Sequence, residues 1–92
     1  MEIKQFNRET KGFFKALEGE ETAGVMTYTW AGDKMIIDHT EADPKFKGQG
    51  VGLKMVLAAV EYARKENIKI IPLCPFAKSV FDKRDDIKDV LV

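Results

Sequence analysis

The sequence predicts a mixed α/β domain in which an antiparallel meander is followed by a strand–helix–strand unit with parallel strands. In the first half, aromatic and β-branched residues alternate with polar ones between turn signals, as in half-buried strands. In the second half, a long stretch places apolar residues at helical spacing, and a short apolar run follows it. Three glycines at alternate positions, Gly48, Gly50 and Gly52, separate the two patterns.

The first half of the chain predicts the meander. The predicted strands are residues 1–6, 12–18, 22–30 and 34–40. The first of them is an edge strand. The connections at residues 19–21 and 31–33 contain glycine and acidic residues, which are typical of short turns. Because these connections are short, the strands that they join should pair antiparallel.

The second half predicts a crossover helix and a buried strand. The helix covers residues 50–66, and its apolar stripe consists of Leu53, Val56, Leu57, Val60 and Ala63. Residues 69–73 form a short, nearly all-apolar run, which is typical of a strand that is buried on both faces. A strand, a helix and a strand make a right-handed βαβ unit, so residues 34–40 and 69–73 should lie parallel.

Composition limits the classes of function. The chain has 92 residues, 45% of them hydrophobic, and 15 basic residues balance 15 acidic ones. We expect a single domain over residues 1–92, without the positive charge that favours nucleic-acid binding. We also expect a cytoplasmic protein that does not bind membranes, because the sequence has neither a membrane-spanning apolar run nor a signal-peptide pattern. A monomer or a weak homodimer is expected, since so small a core is only marginally stable.

The glycine loop at residues 44–52 is the main indication of function. In parallel α/β units, ligands bind beyond the carboxyl ends of the strands, where this loop should lie. The free N–H groups of a helix N-terminus attract anions, and glycines let a phosphate approach the backbone. Lys45, Lys47 and Lys54 can supply positive charge. We therefore interpret the loop as a phosphate site, in preference to a glycine turn that binds nothing.

Other phosphate-binding motifs do not fit this loop. A nucleoside-triphosphate loop requires Gly-Lys-Ser or Gly-Lys-Thr, which the sequence lacks. A dinucleotide fingerprint requires an acidic residue about twenty positions further on. Residues 68–72 stand there instead. A nucleotide-binding protein without transferase chemistry is therefore a weaker interpretation.

The segment Lys47-Gly48-Gln49-Gly50-Val51-Gly52 resembles the acetyl-CoA pyrophosphate loop of the GNAT superfamily of N-acetyltransferases. The pattern of that loop is Gln/Arg-x-x-Gly-x-Gly/Ala. Lys47 stands at the Gln/Arg position, which keeps the charge but loses the planar donor geometry. Residues 39–41 (HTE), 61–64 (EYAR) and 72–76 (PLCPF) extend the resemblance to very small, single-domain members of the superfamily.

The resemblance implies a GNAT-like sheet whose parallel strands splay apart, with the pantetheine arm of acetyl-CoA between them. It places the thioester near the backbone of Thr40 and Glu41, and it makes a small-molecule or protein amine the acceptor. The implied cofactor-binding residues are Thr40, Lys47, Gly48, Gln49, Gly50, Val51, Gly52 and Leu53. Larger members have N-terminal helices and often a tyrosine acid. The chain has no room for these helices before its first predicted strands. The tyrosine has no clear match either, since Phe76 and Phe81 occupy its region.

Cys74 and His39 are the candidate catalytic residues, because the predicted topology places both near the carboxyl ends of adjacent strands. His39 could act as a general base, and Cys74, expected to cap a second helix that begins at Pro75, could carry the acetyl group. Glu41 is a candidate orienting residue or alternative base. Structural roles for Cys74 and His39 stay open.

A single cysteine excludes an internal disulfide and a cysteine-based zinc site, so no metal is expected. The alternative function is a non-catalytic module that binds CoA or acyl-CoA.

Overall fold

The computed structural model describes residues 1–92 and contains one five-stranded sheet. Its strands are β1 (Glu2–Asn7), β2 (Lys11–Glu18), β3 (Glu21–Ala31), β4 (Lys34–Ala42) and β5 (Lys69–Pro72), and they are ordered in space as they are along the chain. The remaining elements are the helices α1 (Val51–Glu66) and α2 (Pro75–Lys83) and two 3₁₀ turns, Pro44–Phe46 and Asp85–Val90. The first four strands pair antiparallel, and β4 pairs parallel with β5. The predicted meander and βαβ unit are confirmed.

The structure differs from the prediction mainly at the ends of elements. Strand β4 continues beyond the predicted residue 40, to Ala42. Helix α1 begins at Val51, one residue later than predicted, with Gly50 as its N-cap, whereas its end at Glu66, before the left-handed C-cap Asn67, is as predicted. The two 3₁₀ turns were not predicted, because so short an element leaves no periodic pattern in a sequence. Neither helix has the length and hydropathy that are needed to cross a bilayer.

Helix α1 packs on the sheet through a stripe that is rotated from the predicted one. Met55 and Ala59 are fully buried, whereas Leu53 and Leu57 are only half-buried. The predicted stripe was therefore wrong at these positions. The small side chain of Ala59 lets the helix lie close to the sheet, while Leu53 lines a groove beside Phe76.

Strands β4 and β5 separate after their last parallel pair, Ile37 and Pro72. Their parallel ladder joins Lys34–Ile37 to Lys69–Pro72. The N–H groups of Leu73 and Cys74 then both donate to the Ile37 carbonyl, at 3.0 Å each. Strand β4 continues to Ala42 without a partner on this side, so the two parallel strands form a fork. The splayed pair implied by the resemblance is present.

A β-bulge in β4 lies at the base of the fork. Tyr28 pairs with Ile37 and Thr27 pairs with His39, which leaves Asp38 as an extra residue. One extra residue reverses the alternation of side chains along a strand. As a result, Thr40 shares the α1-facing side of the sheet with Ile37, whereas His39 lies on the opposite face with Thr27.

Candidate functional site

The loop before α1 exposes its backbone at two glycines. Gly48 and Gly50 have φ values of 86° and 69°, in the left-handed region that favours glycine. A Cβ atom at either position would meet no other atom within 4 Å. The two residues therefore turn the chain and leave open space over the loop.

The N-terminus of α1 keeps its hydrogen-bond donors free. The N-cap Gly50 has no side chain, and the first turn contains no acidic residue. Between Gly48 and Leu53, the backbone N–H groups of Gly48, Gly50, Val51, Gly52 and Leu53 make no hydrogen bond within the chain. Free donors at a helix N-terminus favour an anion, because the helix dipole adds partial positive charge there.

Gln49 and Gly52 differ from the other residues of the predicted loop in the groups that they leave available to a ligand. The N–H group of Gln49 already donates to the Phe46 carbonyl at 3.1 Å, so only its side chain is available to a ligand. A Cβ atom at Gly52 would lie 2.5 Å from the ring of Phe76, which belongs to the first turn of α2. The missing side chain at Gly52 thus permits a helix–helix contact, in contrast to the open space around Gly48 and Gly50.

Two lysines near the loop have free charges. Lys47 and Lys54 form no ion pair, whereas the Lys45 ammonium lies 2.6 Å and 2.8 Å from the carboxylate oxygens of Glu21. This hydrogen bond and the Glu21 charge raise the pKa of Lys45. The predicted group of three cations is therefore reduced to Lys47 and Lys54.

A groove of about 510 Å³ lies beside the free N–H groups. Its apolar walls include Phe46, Val51, Leu53 and Phe76, and Ala42 lines it at the end of β4. The groove therefore extends from the glycine loop to the end of the unpaired part of β4. Its combination of apolar walls and exposed backbone donors suits a ligand that has both an apolar part and an anionic part.

Cys74 meets Thr40 across the fork. Cys74 is the N-cap of α2, before Pro75, as predicted. Its buried thiol donates a hydrogen bond to the Thr40 hydroxyl at 3.3 Å. Burial by itself disfavours the thiolate, but the Thr40 hydroxyl and the N–H groups of Ala77 and Phe76 favour it, and the net effect lowers the pKa of Cys74.

His39 does not contact Cys74. Its Nε2 atom lies 3.3 Å from a carboxylate oxygen of Glu41, and both side chains are well exposed. Sequence reasoning placed His39 and Cys74 at one site but did not find the pairing of Cys74 with Thr40. The bulge at Asp38 causes this pairing by turning Thr40 towards the α1 side, and a bulge of this kind has no clear local signature in the sequence.

The structure forms no cluster of three or more His, Cys, Asp or Glu side chains that could ligate a metal ion. The fork, the groove and the free N–H groups together define an α/β protein with free backbone donors at a helix N-terminus beside an apolar groove. Residues 12–90 match the family described as GCN5-related N-acetyl-transferase, and the chain belongs to this family.

Two known proteins are similar to the chain. Protein NATD1 of Xenopus tropicalis is 27% identical over 71 residues, which make up 76% of this chain and 65% of NATD1. The chain thus spans less than two thirds of the length of this relative. The solution NMR structure of a GCN5-like protein from Staphylococcus aureus, a candidate N-acetyltransferase, has a TM-score of 0.72 at 37% sequence identity. That match covers 99% of this chain and 87% of the Staphylococcus protein.

Proposed function

We propose that the protein binds acetyl-CoA at the glycine loop and transfers the acetyl group to an amine. The main support is the set of free backbone N–H groups at the start of α1, beside a groove that extends to β4. Their positive potential complements a pyrophosphate, and Lys47 and Lys54 add unpaired charges nearby. Membership of the family favours acetyl-CoA over other phosphate ligands.

The proposed contacts divide the groove into two parts. The N–H groups from Gly48 to Leu53, apart from that of Gln49, would hold the pyrophosphate. The apolar walls that include Phe46 and Phe76 would contact the pantetheine arm and exclude water from it. The reacting end would then lie in the fork, near Thr40.

When bound, acetyl-CoA supplies a thioester carbonyl that an amine can attack. In direct transfer, His39 or Glu41 would accept the proton that the amine loses. In the two-step route, the Cys74 thiolate would take the acetyl group and release CoA as a thiol, and the amine would then displace Cys74. The lowered pKa of Cys74 and its contact with Thr40 favour the two-step route.

Calorimetry with CoA and acetyl-CoA tests the binding step. Both should bind and raise the melting temperature, because a ligand that binds only the folded state stabilises it by mass action. ATP and NAD, which lack the pantetheine arm, should bind more weakly. If neither CoA nor acetyl-CoA binds at millimolar concentration, the proposal is wrong.

Mass spectrometry after incubation with acetyl-CoA tests the role of Cys74. In the two-step route, one acetyl group should map to Cys74 and be released by hydroxylamine, and Cys74→Ala should stop turnover while CoA still binds. In direct transfer, no adduct should accumulate, and His39→Ala should slow turnover and remove an ionisation from the pH profile. If neither substitution changes turnover with a verified acceptor, both residues are structural.

The alternative function is a non-catalytic module that binds CoA or acyl-CoA. Two observations favour it: Cys74 is only 4% exposed, and His39 does not contact it. Release of CoA in the presence of a panel of primary amines separates the two functions. Tight CoA binding without CoA release for any amine would support the module over the enzyme.

A further inference from the structure

The two edges of the sheet differ in how they are protected from pairing with a further strand. Strand β5 is short and ends at Pro72, which has no N–H group to donate. The C-terminal residues also cover part of it, because Leu91 forms a parallel bridge to Ile70 and the Val92 N–H group donates to the Ile70 carbonyl at 3.3 Å. Strand β1, at the opposite edge, contains no proline, pairs with β2 without a bulge and has no covering segment. Its only protection is the charge of its side chains.

The free backbone groups of β1 belong to alternate residues. The Arg8 N–H group donates to the Lys11 carbonyl at 2.8 Å, so these two residues form a hydrogen-bonded pair at the end of the β1–β2 ladder. Such pairs recur at every second residue of an antiparallel ladder. The N–H and C=O groups of Ile3, Gln5 and Asn7 therefore point away from β2, and no turn, loop or cap in the chain uses them. They form a row that another strand can pair with.

The side chains of β1 that lie on the face opposite to α1 are exposed and include both signs of charge. Glu2 and Arg8 stand at the two ends of this row, and neither forms an ion pair within the chain. Phe6 lies next to Arg8 in the row and is 47% exposed. One face of its ring stacks on Phe13 of β2, with centroids 4.9 Å apart, so the other face is open at the edge of the sheet.

We infer that a second copy of the chain pairs antiparallel with β1, about a twofold axis at Gln5, so that two sheets join into one. In this register Gln5 lies opposite the partner's Gln5, and Ile3 lies opposite the partner's Asn7. All of these residues have outward-pointing backbone groups, so each opposing pair can exchange two hydrogen bonds. The pairing uses the whole length of β1.

The same register brings complementary side chains together on the open face. Glu2 lies opposite the partner's Arg8, and the twofold axis repeats this ion pair at the other end of the interface. Phe6 lies opposite the partner's Lys4, whose ammonium group can contact the open face of the ring. The partner's Glu2 also supplies a negative charge beside Arg8 and Lys11, which otherwise face each other as like charges.

The other two registers that satisfy the outward backbone groups fit less well. Pairing about Lys4 places the ammonium groups of the two copies directly opposite each other, which is unfavourable. Pairing about Ile3 requires the backbone of Met1, whose amine lies 3.6 Å from a carboxylate oxygen of Glu18. It also leaves Phe6 without a residue opposite. The axis at Gln5 is therefore the favoured one.

Sedimentation equilibrium over a range of protein concentrations tests whether the dimer forms. One strand from each copy buries less than the roughly 1,200 Å² of a stable complex, so we expect a reversible dimer with a Kd of about 0.1 mM. A protein that stays monomeric at about 1 mM, tenfold above that Kd, would overturn the inference.

Exchange of charges tests the register. Glu2→Arg and Arg8→Glu each place like charges opposite each other at both ends of the interface, so each variant alone should dimerise at least about tenfold more weakly. Mixed in equal amounts, the two variants should form a heterodimer at least as tight as the wild-type dimer, because every arginine then faces a glutamate. If Lys4→Glu restores dimerisation of Glu2→Arg and Arg8→Glu does not, the strands pair about Ile3 and the proposed register is wrong.

Glu20→Arg and Lys83→Glu are the matched controls for the charge exchange. They change the net charge by the same amounts, and both residues are exposed, unpaired and outside β1. Each control variant, alone or in the mixture, should dimerise as the wild type does. If the controls also weaken dimerisation alone and restore it when mixed, overall charge explains the result and the inference is overturned.

Substitutions at Gln5 test the backbone pairing. Gln5→Pro removes an N–H group that points towards the partner and breaks no hydrogen bond to β2. Gln5→Ala is its control, because both variants lose the hydrogen bond from the Gln5 side chain to the Tyr28 hydroxyl, 2.9 Å long, but alanine keeps the N–H group. With folding verified by circular dichroism, only Gln5→Pro should lose the dimer. Equal dimerisation of the two folded variants would show that the copies do not associate through the β1 edge.

Discussion

The two ends of helix α1 are built in opposite ways. At the C-terminal end, the left-handed Asn67 closes the helix, and the Ile68 N–H group donates to the Ala63 carbonyl at 3.0 Å. The Arg64 guanidinium there makes two hydrogen bonds to the Asp89 carboxylate, at 3.0 Å and 2.8 Å. At the N-terminal end, no side chain caps the helix and the first-turn N–H groups have no partner.

The contrast shows at which end of α1 the chain's own residues satisfy the free backbone groups. Both ends of a helix carry unsatisfied backbone groups and about half a unit charge. The chain neutralises the C-terminal end with its own residues and leaves the N-terminal end open to solvent. Donors left free in an apolar-walled groove are the feature expected of a binding site, so a ligand at α1 should act on one end only.

The largest expected effect comes from Gly50→Val. A β-branched residue is strained at a φ of 69°, so the loop must move, and its free N–H groups move with it. We expect CoA affinity, measured by calorimetry on the folded variant, to fall at least about tenfold.

Gly19→Val is the matched control for Gly50→Val. Gly19 has a φ of 61° in the β2–β3 turn, and a side chain there would also meet no atom within 4 Å. Both variants should lose about 1–3 kcal/mol of unfolding free energy, but only Gly50→Val should lose CoA affinity. Equal CoA binding by the two folded variants would mean that the loop is only a turn.

Gly52→Ala tests the contact between α1 and α2. The new Cβ atom would lie 2.5 Å from the Phe76 ring, so we expect a loss of about 1 kcal/mol in unfolding free energy. In a Phe76→Ala background, Gly52→Ala should instead increase the unfolding free energy, because alanine has a higher helix propensity than glycine. Urea denaturation of the four proteins in this double-mutant cycle measures the coupling. Additive effects would show that the two residues do not constrain each other.

Arg64→Met tests the C-terminal end of helix α1. We expect a lower melting temperature at pH 7 and unchanged CoA affinity. The Arg64 hydrogen bonds lower the pKa of Asp89, so the pair stabilises the fold above about pH 4, the ordinary pKa of an unfolded aspartate. This stabilisation is lost as the pH falls through the lowered pKa. The melting temperatures of the variant and the wild type should therefore converge in acid, and a constant difference would contradict the assignment.

The smallest effect is expected for the lysines near the open end. Lys47→Ala should weaken CoA binding about twofold, because Lys47 is exposed and unpaired. Lys45→Ala should have less effect, since the Lys45 ammonium is already paired with Glu21. Calorimetric titration with CoA at low and high salt provides a check, because screening should reduce the difference in CoA affinity between Lys47→Ala and the wild type. A larger effect for Lys45→Ala would mean that a ligand displaces Glu21.

Much of this fold could be predicted from the sequence because its signals are local. Alternation identified the strands, and the position of Pro75 identified both the start of α2 and the N-cap Cys74. The apolar stripe of α1 was partly wrong, because Leu53 and Leu57 satisfy the same spacing as Met55 and Ala59. Periodicity gives the existence of an amphipathic helix, but packing against a particular sheet decides which neighbouring stripe is buried.

By itself, the sequence determined the order of elements, the glycine loop before α1 and the family resemblance, since each depends on residues that are close along the chain. Only the tertiary structure decided that Cys74 meets Thr40, 34 residues away, and that Lys45 pairs with Glu21, 24 residues away. Such contacts depend on strand register, and one extra residue in β4 changes which side chains share a face. That is why the glycine loop could be found in the sequence, while the surroundings of the candidate catalytic residues came only from the fold.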